Sequence, residues 1–350
     1  MREPGQKTSR RAVVAGLAVA AGVGPLARPS RAAGRGTLLL THPAFLQHNA
    51  GPFHVERAER MTAIDAALST DAFAALVRET APMRDDVEQA ILRAHQPAHL
   101  ERIRSMAAVG IPLIQIDPDT AMSPGSLEAA LLGVGAGLRS VDAVMTKDSG
   151  IANAFCQVRP PGHHAEQNRA MGFCLFSNIA IAGLYARARY GAQRIAVVDF
   201  DVHHGNGTQR IFWNDRDLFY ASTHEMPLFP GSGPATETGA HGNVCNAPLK
   251  AGDGGDRFRE AMRERVLPKL DAFRPDIVLI SAGFDAHAGD PIAHLKLQAD
   301  DFAWITLQLA DIAARHCQGR VVSMLEGGYN LDGLARSTAA HVGALMQAAS

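Results

Sequence analysis

Arg194-Ile195-Ala196-Val197-Val198-Asp199-Phe200-Asp201-Val202-His203-His204-Gly205-Asn206-Gly207-Thr208 begins as an aliphatic run and ends in a polar turn containing two glycines. An unbroken apolar run of this length reads as a strand buried on both faces, which is the habit of parallel sheets covered by helices. Outward from it, runs at Leu38–Leu40, Ala154–Gln157, Leu218–Ala221, Ile277–Ser281 and Val321–Leu325 repeat the pattern, so the first strand, Arg194–Phe200, has five companions. Between them Leu127–Met145, Ser177–Tyr190, Phe258–Phe273 and Asp300–His316 carry helical periodicity. The alternation predicts one α/β domain over residues 36–350, an open parallel sheet with helices on both faces. Long loops are expected at Pro118–Ser126, Pro160–Phe173, His224–Ala240 and Ala282–Leu297.

Ligands of open parallel sheets bind outside the carboxyl ends of the strands, and the polar residues of this chain gather there. Arg194–Phe200 runs into Asp201 and His203, Ile277–Ser281 into Gly283-Phe284-Asp285, and Val321–Leu325 into Gly327-Gly328-Tyr329. Ala154–Gln157 is followed by Arg159-Pro160-Pro161-Gly162-His163-His164. In an extended strand end residues i and i+2 share a face, so Asp201 and His203 can grip one ion, with Asp285 as a third ligand. Three protein ligands and an open position are the catalytic form of a zinc site. A two-metal site would need carboxylates at the neighbouring i+2 positions, which here are Gly205 and His287. One metal is therefore expected, with His287 a loop residue. The Pro-Pro-Gly turn gives His163 and His164 a stiff backbone suited to an acid–base pair. The lone histidines His95, His99, His241 and His316 read as surface or satisfied core residues.

With 47% hydrophobic and 20% charged residues in 350, the composition is globular and excludes fibrous and disordered classes. The net charge of -1 hides a basic start, since residues 1–33 hold six basic side chains against one acidic. The remaining body is mildly acidic, which argues against a nucleic-acid partner and favours cationic small substrates. Arg10-Arg11 stand before the apolar stretch from Ala12 to Gly24, and small residues follow at Ser30-Arg31-Ala32-Ala33. This resembles a twin-arginine export signal, with an apolar run too short to span a bilayer, and predicts a protein exported to the bacterial periplasm with no stable membrane insertion once the signal is removed. Cys156, Cys174, Cys245 and Cys317 lie far apart without metal-type spacing and read as free, mostly buried thiols.

Arg159-Pro160-Pro161-Gly162-His163-His164-Ala165, Met171-Gly172-Phe173-Cys174, Asp199 through Thr208, Ser281-Ala282-Gly283-Phe284-Asp285-Ala286-His287 and Leu325-Glu326-Gly327-Gly328-Tyr329-Asn330 together resemble the motif series of class II histone deacetylases and bacterial acetylpolyamine amidohydrolases. The likeness runs from about Thr41 to the C-terminus and implies an arginase/deacetylase-like fold. It also implies one Zn2+ on Asp201, His203 and Asp285, an attacking water flanked by His163 and His164, and an oxyanion donor in Tyr329. By the same resemblance Asp199 pairs with His163 and Asn206 with His164, which would push the two pKa values apart and make His164 the general base and acid. It matches Phe173, Phe229 and Gly172 to the walls of a narrow tunnel, Ile292 to its mouth, and Asp119 to a rim aspartate. Asp199 with Ser222 resembles the family's potassium site, and Arg60 its internal arginine. Val55 and Ala58 depart from the family, which usually has proline there.

The function so implied is hydrolysis of an acyl-lysine, acylpolyamine or related small acylated amine or peptide. A zinc-pocket binding protein without turnover and an exported esterase are the alternatives, and the sequence leaves the oligomeric state open.

Overall fold

The computed structural model describes residues 35–350 and Met1. The export signal expected over residues 1–33 lies, Met1 apart, outside the described residues. Among the described residues eight strands form one parallel sheet: β1 Gly36–Thr41, β2 Val77–Thr80, β5 Ile151–Cys156, β6 Ile195–Asp199, β7 Leu218–Glu225, β8 Val244–Leu249, β9 Ile277–Ala282 and β10 Val321–Leu325. Their order is β2-β1-β5-β10-β9-β6-β7-β8 and every pairing is parallel. A small antiparallel hairpin joins β3 Ile114–Gln115 to β4 Ala121–Met122.

The helices are α1 Glu59–Leu68, α2 Val87–Ala94, α3 Pro97–Ala108, α4 Ser126–Met145, α5 Asn178–Tyr190, α6 Asn206–Phe212, α7 Gly255–Ala261, α8 Leu267–Phe273, α9 Ala299–Cys317 and α10 Leu331–Ala349. Neighbouring side chains on the central strands show how the layers divide. Phe155 lies against His341 of α10, whereas the next residue, Cys156, meets Ser140 of α4 at 3.0 Å. Ser323 likewise bonds His341, while Met324 packs over Gly137 of α4. One face of the sheet is thus covered by the α1, α9 and α10 layer and the other by the α2, α4 and α5 layer. With both faces closed, the central strands bury every residue, which is why they read as unbroken apolar runs.

Several sequence expectations need correction. The two strands at the sheet's edges, β2 and β8, were not expected: Val77–Thr80 is largely exposed, and Val244–Leu249 carries Asn246 and Pro248. Proline is tolerated on an edge because one side of that strand has no ladder partner. The expected loop from Pro118 contains β4 and ends where α4 begins, and β7 continues through His224 to Glu225. The single helix expected over Phe258–Phe273 is two, joined by a π turn at Met262–Val266.

Candidate active site

Asp201, His203 and Asp285 converge at the carboxyl ends of β6 and β9, each buried, with one potential ligand atom apiece within 4.8 Å of the others. Backbone donors fix the carboxylates first: Gly327 N–H reaches Asp201 Oδ2 at 2.8 Å and Val202 N–H reaches Asp285 Oδ1 at 2.8 Å. His203 Nδ1 then faces Asp201 Oδ1 at 3.1 Å and Asp285 Oδ2 at 3.2 Å. Asp285 Oδ2 is buried and, apart from this 3.2 Å ion-pair contact with His203, makes no hydrogen bond, an open coordination need in a site already holding two carboxylates. Burial and Asp201 push the Asp285 carboxyl up to about 7. His203 is held at about 10 by the two carboxylates in spite of its burial. A cation among these three atoms would satisfy the orphaned oxygen and the crowded negative charge together. His287 lies outside this cluster, its Nδ1 accepting from Gly289 N–H at 3.1 Å.

His163 and His164 stand beside the cluster with ring centroids 4.0 Å apart. His163 Nδ1 is 3.0 Å from Asp199 Oδ2, and His164 Nδ1 is 2.8 Å from Asn206 Oδ1. These partners separate the two rings chemically. Burial alone would depress His163, but Asp199, then Asp201 and Glu326, hold it well above the ordinary histidine range. His164 is driven well below that range by burial and by the neighbouring His163 and His203. Asp199 also accepts from Tyr220 Oη at 3.1 Å and stands opposite Ser222 in the β6–β7 register.

Tyr329 follows β10 through the Gly327-Gly328 turn and is 7% exposed. Its backbone N–H donates to Asp290 Oδ2 at 2.8 Å, and its ring packs edge-on against Phe173. Behind it Arg60 sits 5.0 Å from the ring centre and donates to the Gly328 and Glu326 carbonyls at 2.7 and 2.5 Å, locking the turn. Glu326 in turn accepts from Gly162 N–H at 2.7 Å and His163 N–H at 3.1 Å, so it ties the histidine loop to the tyrosine turn.

A cavity of about 200 Å3 opens over these groups, lined by His163, His164, His203 and Tyr329 together with Gly172, Phe173, Phe229, Asp119, Ile292, Pro161, Leu228 and Gly327. Every residue expected at the tunnel wall or rim therefore borders the same space as the histidine pair. Gly172 and Phe173 both have positive φ, 55° and 67°, and a Cβ on Gly172 would lie 2.4 Å from His164 Cδ2. His54, from the entrance loop that carries Val55 and Ala58, packs on Phe173 and donates from Nε2 to the Asp119 carbonyl at 3.1 Å.

Sequence reasoning missed the supporting roles of Glu326, Asp290, Tyr220 and His54. Glu326 carried a usable signal, a carboxylate at a strand end inside a motif that was otherwise read. Asp290 carried none, because its partners are backbone N–H groups. The other histidines fall as expected: His95 and His99 are buried and bonded to the Glu166 and Leu175 carbonyls, and His241 is exposed. All four cysteines are buried and free.

The family model described as "Histone deacetylase domain" matches residues 54–345. The "Histone deacetylase-like amidohydrolase" of Pseudomonas aeruginosa is 38% identical, over 85% of this chain and 78% of its own length. A "Probable deacetylase" of Archaeoglobus fulgidus is 36% identical, over 85% and 82%. Among solved structures the HDA15 HD domain superposes with a TM-score of 0.83 at 34% identity, covering 90% of this chain and 89% of that one. Fold and site together define a hydrolase of the deacetylase and amidohydrolase class, acting on acylated amines. The chain belongs to the histone deacetylase family.

Proposed function

We propose that this protein is a zinc-dependent deacylase that cleaves the amide of an acylated linear amine, an acyl-lysine, acylpolyamine or acylated peptide, to a carboxylate and the free amine. One observation carries the reading: two adjacent histidines with opposite partners, Asp199 and Asn206, border one cavity with Tyr329 and with His203, the member of the Asp201, His203 and Asp285 cluster that lines it. One zinc on that cluster would polarise the acyl carbonyl and lower the pKa of the attacking water. His164, neutral and with Nδ1 turned to Asn206, takes a proton from the water at Nε2 and returns it to the leaving nitrogen. His163, held protonated by Asp199, favours negative charge as it develops. The Tyr329 hydroxyl donates to the oxyanion, which exists only in the transition state.

Phe173 and Phe229 would sheathe the aliphatic stem of the substrate, with Gly172 at the wall, Ile292 at the mouth and Asp119 at the rim. A potassium ion beside Asp199 and Ser222 would brace the strand end that carries the zinc ligands. Arg10-Arg11 and the apolar run behind them support export to the periplasm, a location that favours small acylated amines or peptides over histones as substrates. Replacing both arginines with lysine should leave the protein in the cytoplasm, and unchanged secretion would show that the segment is not a twin-arginine signal.

The decisive measurement profiles the zinc-loaded mature protein against acetyl-lysine peptides, acetylpolyamines, longer acyl chains and aryl acetates. Release of carboxylate and amine from at least one amide series is expected. Turnover of esters alone would replace the amidase reading with an esterase, and ligand binding without turnover would make the protein a receptor.

A further inference from the structure

The Asn206 amide can meet His164 with either its oxygen or its nitrogen, and its surroundings allow only one. Asn206 Nδ2 lies 2.9 Å from Glu166 Oε1, 3.4 Å from the His164 carbonyl and 3.4 Å from Met171 Sδ, all of them acceptors. Its Oδ1 is thereby turned to His164 Nδ1. The reverse orientation would set a carbonyl oxygen against a carboxylate and point an N–H donor at Nδ1. His164 then carries its proton on Nδ1, donated to Asn206, and its Nε2 keeps a lone pair.

Of the three acceptors only Glu166 is charged, and it makes the shortest contact. Charge-assisted bonds of this kind are roughly twice as strong as neutral ones. Glu166 is itself held in place. Its N–H donates to the Arg169 carbonyl at 2.9 Å, and its own carbonyl accepts from His95 Nδ1 at 2.8 Å. It does not border the substrate cavity. With Asn206 and Met171 it lines a separate, solvent-open cavity of about 390 Å3.

We propose that Glu166 is a positioning residue: through Asn206 it fixes the tautomer of His164, so that Nε2 is free to move a proton in the substrate cavity. The proposal rests on the role given above to His164, and its test separates the two. The zinc-loaded enzyme is assayed on an acetyl amide and on an activated ester whose leaving group needs no proton. Glu166→Ala should lower kcat for the amide about tenfold, the usual size of losing a partner one shell out, with KM within about twofold. The ester should lose clearly less. Glu166→Gln keeps an acceptor oxygen for Asn206 Nδ2 and should recover most of the wild-type kcat. In an Asn206→Ala background Glu166→Ala should add nothing, because the two act through one contact.

Additive losses in the double variant would overturn the proposal. So would a Gln variant as impaired as the Ala variant, equal losses on amide and ester, or an Ala variant that keeps full amide kcat. His164→Ala serves as the control. If it lowers amide and ester turnover alike, the assignment of His164 fails, whereas a selective loss on amides beside an unaffected Glu166→Ala sinks only the role of Glu166.

Discussion

Tyr329 packs between Arg60 and Phe173 with its backbone tied to Asp290, so Tyr329→Phe removes one hydroxyl and leaves the packing in place. The expected result is a fall in kcat of about 10²–10³, as for loss of one oxyanion donor, with KM changed much less. Steady-state kinetics with zinc content measured in parallel decides it, and an undiminished kcat would remove Tyr329 from the mechanism. His341 makes a different point. It is fully buried between Thr306 Oγ1 at 2.6 Å and Ser323 Oγ at 2.8 Å, and burial lowers it to about 3. Because Thr306 already donates to the Phe302 carbonyl, His341 Nδ1 donates to Thr306 and Nε2 accepts from Ser323, a fully satisfied neutral ring. The unfolded chain protonates this histidine near 6.5 and the folded one near 3, so its contribution is complete above 6.5 and is lost as pH falls toward 3. His341→Leu should therefore lower Tm at pH 7.5 yet flatten the decline of Tm between pH 6.5 and 4, and an unchanged slope would contradict the neutral assignment. The chemistry-bearing side chains were legible in the sequence because they sit at strand ends in spaced motifs. Glu326 shares that signal, whereas Asp290 does not, since its partners are backbone N–H groups of Ile292, Tyr329 and Asn330 assembled by the fold.

At the scale of elements, the Gly172-Phe173 turn shows how a backbone conformation serves a reacting group. Both residues take left-handed φ, a conformation that L side chains adopt only at a cost, and a Cβ at Gly172 would overlap the His164 ring. Gly172→Ala should displace His164 and Phe173 together. We expect at least a tenfold loss of amide kcat/KM, while the buried cluster of Asp201, His203 and Asp285, which the turn does not touch, keeps its metal affinity. Loss of metal in this variant would show that the turn supports the cluster after all. The same scale explains which elements could be read in advance. Strands covered on both sides announce themselves as aliphatic runs, and β5, β6, β9 and β10 were found that way. Edge strands have one open side and need no such run: β2 is Val77-Arg78-Glu79-Thr80, mostly exposed, and β8 is interrupted by Asn246 and Pro248. The π turn at Met262–Val266 shifts hydrogen bonding by one residue, which side-chain periodicity over so short a span does not reveal.

For the whole molecule, the convergence of two carboxylates and a histidine on one buried point would couple metal binding to folding. Metal analysis should give about one zinc per chain. Chelation should lower Tm, and restored zinc should recover it, because a ligand bound only by the folded state stabilises it by about 2.7 kcal/mol at one hundred times its dissociation constant. Asp285→Ala should lose both the metal and the chelator-sensitive part of Tm. Two tightly held ions per chain would instead favour a two-metal enzyme.

The strand order carries one more consequence. β10 lies between β5 and β9, yet it follows every other strand in the chain. While the polypeptide is still leaving the ribosome, the sheet exists at most as two halves, β2-β1-β5 and β9-β6-β7-β8, with apolar faces and unpaired inner edges. The first half ends in the histidine pair, the second bears the carboxylates, and Tyr329 arrives only after the strand that joins them. A nascent chain therefore cannot yet bring these groups to one place. Its longest exposure to aggregation falls just before the segment from Val321 onward emerges, the interval in which a chaperone would have most to cover.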